Sequence, residues 1–387
     1  MKIFKLKDIS EFIRNGVTIK QDISSKEGIP ITRIETISKG TIDFNKLGYA
    51  NIFKIEKYKE WLLKKGDILI SHINSEKHLG KSAIYLDNNY DIIHGMNLLC
   101  IRAIDKKVFP EYLQLFFKTN QYKKQIKKIT KKSVNQASFS VNDFKEILIT
   151  VPDLNIQEKI IKKIKVLEKI LENNKLKLNY LSELTKSLFT RMFGDIKSND
   201  KNWKIYKFSE KLKISSGGTP SKANKIYWEN GTISWIGSNM CNDEIITKND
   251  GKFITEEGLK NSSAKIYKMN TVIVALVGAT IGKTGLLKFE TSTNQNIAAL
   301  EIKNMDYSPE FLFFLLQNLY YKFTELGGDT FKMANLSFIK NLPLISPPIE
   351  LQNKFAERIE KIEKLKFIFD KALISNIFGK LYKKVSA

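Results

Sequence analysis

Two stretches of the chain repeat apolar residues at spacings of mostly four, three or seven. The first series runs Ile160, Ile164, Leu167, Leu171, then Leu178, Leu181 and Leu188. The second runs Phe355, Ile359, Ile362, Phe369, Leu373 and Ile377. On a helix this spacing keeps one apolar seam on one face, and Lys and Glu fill the flanks. Asn174 falls on the first seam, where a polar residue fixes register. Pro152 and Pro347-Pro348 mark the two helix starts, and Phe193-Gly194-Asp195 ends the first. A helix over 155–190 would be about 54 Å long. Two such helices in one chain can pair with each other, and an antiparallel pair would relate the two halves by a pseudo-two-fold axis. The alternative is a coiled coil between separate chains.

Before each seam the pattern changes. Asp67–Ser71 (DILIS) and Thr271–Leu276 (TVIVAL) are apolar and β-branched, which predicts strands. Ser308-Pro309-Glu310 before FLFFLLQNLYY supplies an N-cap, a proline at the first helical position and an acid in the first turn. These signals recur. Pro110-Glu111-Tyr112-Leu113 matches Pro309-Glu310-Phe311-Leu312. PDLNIQEK, ending at Lys159, matches PPIELQNK, ending at Lys354. Leu79-Gly80-Lys81-Ser82 matches Ile281-Gly282-Lys283-Thr284, and Asn97-Leu98-Leu99 matches Asn296-Ile297-Ala298. The order is kept at a period near 200, too long for a solenoid. The chain therefore reads as a tandem duplication of an α+β unit: globular parts at 1–152 and 195–346, each followed by a helical part, 153–194 and 347–387.

One segment invites a nucleotide reading. Ile273–Gly285 (IVALVGATIGKTG) runs from a strand towards Gly278 and Gly282-Lys283-Thr284. A phosphate-binding loop has the form G-x-x-x-x-G-K-[ST] and opens a helix. This one is a residue short, is followed by the β-prone TGLLKF, and has no glycine in the equivalent place of the first copy. A hairpin is the better expectation. Other chemistry is also thin. The pair Asp153 and Glu158 is broken in the second copy, where Pro348 replaces the aspartate. His72, His78 and His94 have no counterparts in the second half, so they suit hydrogen-bonded or exposed roles better than a metal. No repeated constellation of catalytic residues appears.

Charge turns the question towards a polyanion. The chain has 64 Lys and Arg against 41 Asp and Glu, a formal charge of +23, which favours nucleic acid or an anionic surface. An abundance of Lys, Ile and Asn throughout accounts for part of that excess. The N-terminus lacks the apolar core of a signal peptide, no apolar run reaches a membrane span, and Cys100 and Cys241 lack metal-type spacing. A reduced, cytoplasmic setting is expected. Hydroxyl, amide and lysine side chains cluster where a phosphate or base edge could be met. In the second half these are Ser216, Gly217, Gly218, Thr219, Ser221, Lys222 and Trp235; Thr280, Lys283 and Thr284; Asn294, Gln295 and Asn296; and Thr330 and Lys332. In the first half they are Arg33, Lys81, Ser82, Lys131, Lys132, Asn135 and Gln136. Any one of them alone is equally well a solvated loop residue or, for the tryptophan, a core residue.

Taken in order, SSGGTPSKANKIYWENGTISWI, ITEEGLKNSSAKIY, VGATIGKTG, TNQNIAAL and ISPPIELQNKFAERI resemble the specificity subunit of type I restriction–modification systems. The first half resembles it more loosely, through GDILIS, LGKSAIYL, FPEYLQLFF and VPDLNIQEKI, and has IPITRIE where the second half has GGTPS. The resemblance implies two target recognition domains (1–152 and 195–346), each of mixed α/β build, and two helical spacers (153–194 and 347–387) pairing as an antiparallel coiled coil. It implies a non-catalytic subunit that reads a bipartite double-stranded DNA target and docks methyltransferase subunits, two of them, and restriction subunits. It would bind no cofactor itself: S-adenosylmethionine, ATP and magnesium would belong to the partners. A P-loop nucleotide-binding protein and a structural coiled-coil protein without DNA preference are the alternatives.

Overall fold

The computed structural model describes residues 1–20, 26–87, 90–134, 136–326 and 333–374. Met1–Asn174 builds a first compact unit and Lys175–Asp370 a second. The division falls inside one continuous helix, Leu154–Phe193. A second long helix, Ile349–Ile374, closes the described chain.

The repeat read from sequence returns as strand order. In the first unit the main sheet runs Ser10–Asn15, Leu98–Ala103, Ile68–Ser71, Ser82–Ile84. In the second it runs Leu212–Ser216, Ile297–Ile302, Val272–Ala275, Thr284–Leu287, with Glu244–Ile246 added in parallel at the edge. In each unit a short strand at the start pairs antiparallel with the strand just before the long helix: Lys2–Lys5 with Leu148–Val151, and Ile205–Lys207 with Pro343–Ile345. A helix beginning at the repeated proline follows each main sheet, Pro110–Phe116 and Pro309–Asn318. Ser308 caps the second, its hydroxyl accepting from the Phe311 N–H at 3.0 Å, as its sequence predicts.

A repeated glutamine joins each long helix to its own unit. The Gln157 carboxamide accepts from the Phe109 N–H at 2.9 Å and donates to the Lys107 and Pro152 carbonyls at 3.1 and 2.8 Å. Gln352 does the same with the Ser308 N–H at 3.0 Å and the Asp306 and Pro347 carbonyls at 3.1 and 2.9 Å. Both side chains are fully buried. Each therefore satisfies an otherwise orphaned amide at the start of the proline helix and ties that helix to the next one.

The seams differ in detail from the sequence pattern. Ile164, Leu171 and Asn174 are buried as the spacing predicts, but Ile161, Thr185, Phe189 and Phe193 are buried more deeply than Ile160, Leu181 and Leu188. Within the second unit the two helices run antiparallel. The Phe355 ring lies 5.6 Å from Phe189 and 5.2 Å from Phe193, while farther along Lys177 Nζ sits 4.9 Å from the Phe369 ring. Phe311, 4.7 Å from Phe193 and edge-on to it, carries this aromatic cluster into the core. Ile377 and the Leu373 side chain lie outside the described residues.

Candidate nucleic-acid interface

The registers place most of the second-half candidates at one end of one sheet. Ser216 faces Ala298, Ala275 faces Ile297, Val274 faces Thr284, and Glu244 faces Gly285. The loops leaving that end are therefore Gly217–Lys222, 276–283, 294–296 and 237–243. Hydrogen bonds knit them: Thr219 Oγ1 donates to Gln295 Oε1 at 2.5 Å, the Leu276 N–H donates to the Asn296 carbonyl at 2.8 Å, and Lys283 Nζ donates to Asp243 Oδ2 at 2.5 Å. Ser221, Lys222 and Gln295 are exposed; Ser216, Thr219, Thr280, Lys283, Asn294 and Asn296 are partly so. Asn239, exposed on the neighbouring loop, belongs with them and was missed by the sequence reading. The cue was a polar Ser-Asn-Met turn directly after the strand ending at Ile236.

Four candidates support this surface from below instead of facing a ligand. Trp235 is buried, edge-on to Trp228 at 5.1 Å, and its indole N–H donates to the Gly218 carbonyl at 3.0 Å. Gly217 and Gly218 are close to their own chain, not open to an incoming one. A Cβ on Gly217 would stand 2.1 Å from the Thr293 carbonyl oxygen, and one on Gly218 2.3 Å from Ser263 Oγ. Thr284 is buried, with its hydroxyl 3.2 Å from Asp243 Oδ1.

The Gly-Lys-Thr turn is a hairpin, antiparallel between Val272–Ala275 and Thr284–Leu287. The amides of Gly282, Lys283 and Thr284 are all taken. The Gly282 N–H donates to the Ala275 carbonyl, Lys283 to Thr280, and Thr284 to Asp243 Oδ1, at 2.9, 2.8 and 3.0 Å. None of these three amides is left to cradle a nucleotide phosphate. Gly282 has φ +76°, and its Cα faces the Phe323 and Tyr320 rings. Lys283 Nζ is 2.5 Å from Asp243 Oδ2, a pairing that raises the lysine pKa, burial opposing it. Lys283 therefore meets a carboxylate, and a DNA phosphate could engage it only in competition.

The first unit repeats the turn. Gly80 has φ +74°, its N–H donates to the Ser71 carbonyl at 2.7 Å, and Tyr122 Oη donates to its carbonyl at 3.1 Å. Ser82 is buried in the strand, so it too is structural. Lys81 Nζ donates to the Ser38 carbonyl at 3.0 Å. Arg33 is half-buried, 3.5 Å from Glu35, and follows Thr32, whose hydroxyl accepts from the Gly95 N–H. Exposed Lys131 and Lys132 pair through their backbones with Ala137–Ser138, which in turn pair with Ile73–Asn74 just past the sheet end. Lys132 reaches Glu76 at 2.9 Å, and Gln136 is exposed. Asn135, Thr330 and Lys332 lie outside the described residues.

The histidines have structural settings. His94 Nε2 lies 2.8 Å from the Leu98 carbonyl, and burial pushes the pKa of His94 and of His72 down to about 4. Among the described residues no group of three or more His, Cys, Asp or Glu could hold a metal ion, and no helix is long and apolar enough to cross a membrane.

Two copies of one α+β unit, polar loops gathered at a sheet end and a long helix after each define a repeated recognition scaffold with no assembled catalytic centre among the described residues. The type I restriction modification DNA specificity domain matches residues 1–181 and again 200–377. The chain thus belongs to that family, whose members recognise DNA sequence and are not themselves catalysts. It is 30% identical over 385 residues to a Methanocaldococcus jannaschii protein named for the specificity subunit of the MjaX type I restriction enzyme, covering 94% of this chain and 87% of that one. It is 24% identical to the MjaIX specificity subunit of the same organism, over 71% of this chain and 69% of that one. In structure it resembles the S subunit of a type I system from M. genitalium, with a TM-score of 0.62 at 14% identity, covering 99% and 95% of the two chains.

Proposed function

We propose that the chain reads a bipartite double-stranded DNA target, one half per unit, and docks two methyltransferase subunits through its long helices, with restriction subunits joining the same assembly. The observation that carries this reading is the repeated sheet, of one strand order in both halves, with polar loops at the matching end of each. Two like readers separated by a helix fit a target of two halves and a spacer. In the second unit, Gln295 and Asn294 have the side chains that read adenine edges, and Lys222 suits a phosphate. S-adenosylmethionine, ATP and magnesium belong to the partners in this reading, and the assembly works in the cytoplasm.

The test is competition binding by the chain assembled with its methyltransferase, using duplexes that carry or lack its methylated motif, across a salt series. Affinity for the motif should exceed that for unrelated duplex and fall steeply with salt. Gln295→Ala should relax preference in one half-site only, by about 1–3 kcal/mol for a lost bidentate contact. Equal affinity for both duplexes would refute the reading.

A further inference from the structure

The two units share a fold but not a charge distribution around the repeated Gly-Lys turn. In the first unit a cleft of about 760 Å³ opens between the turn at 38–41, the Gly80-Lys81 hairpin and the helix Asn120–Ile129. Six lysines line it: Lys39, Lys77, Lys81, Lys118, Lys123 and Lys127. Glu76 is the acidic residue in the lining, and it is engaged by Lys132. The helix is amphipathic in a particular way. Tyr122 and Ile126, one turn apart, are buried against Gly80, which fixes the helix on the hairpin. That leaves Lys123 and Lys127, also one turn apart, along the cleft wall, roughly 6 Å from each other. Neither has an ion-pair partner among the described residues. From Phe117 to Lys132 the chain carries seven lysines and no acid.

The second unit has the same hairpin and a different setting. Its counterpart helix is Tyr320–Thr324, with one lysine, Lys322, 3.4 Å from Glu325. Lys283 is paired with Asp243, and aromatic rings of Tyr320 and Phe323 cover Gly282. Of the six lysines in the first unit's cleft, Lys118 lies 3.2 Å from Glu168 and Lys39 3.9 Å from Asp43, whereas Lys77, Lys81, Lys123 and Lys127 have no ion pair among the described residues. Four such lysines on a concave surface suit the repeating negative charge of a nucleic-acid backbone.

Resting on the DNA-recognition reading above, we propose that the lysine-lined cleft of the first unit seats the phosphate backbone of duplex DNA beside the first half-site. It supplies more of the salt-dependent affinity than the matching face of the second unit. The first unit holds its half-site chiefly through charge, and the second depends more on uncharged side chains.

The test compares the full chain, assembled with its methyltransferase, with two charge-matched variants on a mixed-sequence duplex from about 50 to 200 mM salt. Lys123→Gln/Lys127→Gln removes the cleft pair; Lys124→Gln/Lys128→Gln removes two lysines of the same helix that do not line the cleft. Glutamine keeps helix propensity, and circular dichroism confirms that both variants fold. Loss of two phosphate contacts should flatten the log–log salt slope by about 1.8, so that the wild-type chain loses about tenfold more affinity over this range than the cleft variant. The control pair should leave the slope nearly unchanged, and Lys322→Gln in the second unit should change it by less than one contact's worth. Equal flattening by both pairs, or flattening by neither, would overturn the cleft while leaving DNA recognition standing. Wild-type binding that ignores salt would overturn the DNA reading itself.

Discussion

Gln352 accepts one backbone hydrogen bond and donates two, all inside the protein, and Gln157 repeats the arrangement. Replacing either by leucine keeps the volume and strands three backbone groups. At about 1–3 kcal/mol per unsatisfied buried group, partly relieved by water entry, Gln352→Leu should cost roughly 2–4 kcal/mol in a urea melt. A loss below about half a kcal/mol would mean the clamp is replaceable. The histidines set a second expectation. Burial holds His72 and His94 at a pKa near 4, below the unfolded value of about 6.5. Over that interval the unfolded chain binds more protons, so stability is fully present above pH 6.5 and is lost as pH falls towards 4. By pH 5 the loss should be on the order of 2 kcal/mol per histidine. Because both lie in the first unit, that unit should melt first in acid, and proton NMR should find both rings neutral at pH 5.

At the scale of elements, the Gly-Lys-[Ser/Thr] hairpin shows how far pattern carries. Its strands are legible from β-branched runs, and the strand-forming sequence after Lys283 argues against a helix there. What the pattern could not supply was the reason for the glycine. Gly282 has positive φ, and an added Cβ would lie 2.8 Å from the Phe323 ring. Gly282→Ala should therefore destabilise the second unit by about 1–3 kcal/mol in thermal melts, with the same direction for Gly80→Ala. The long helices are legible from their seams, yet spacing alone does not pick out the buried Ile161 and Phe189. Each stands beside an apolar neighbour, Ile160 or Leu188, and only the partner surface decides which points inward. The candidate interface divides on the same ground. SSGGTPSK, GATIGKT and TNQN were visible as polar segments, and the sheet registers bring them to one end. Burial of Trp235 and Thr284, and the pairing of Lys283 with Asp243, depend on residues far away in sequence, which spacing does not encode.

For the whole molecule, the proposed function has each unit read one DNA half-site, with the length of the connecting helix setting the spacer. Leu154–Phe193 is 40 residues, or about 60 Å of helix. Seven residues inserted into it keep the seam in phase and add about 10 Å. The expected outcome is a longer spacer, by about three base pairs, with both half-sites unchanged. Altered half-sites would contradict the ruler. The most direct measurement is a genome-wide map of methylated bases in cells expressing the chain with its methyltransferase partner. The account predicts methylated adenine in one motif made of two short fixed half-sites separated by a spacer of constant length and free sequence. A continuous undivided motif, or methylation without sequence preference, would contradict it.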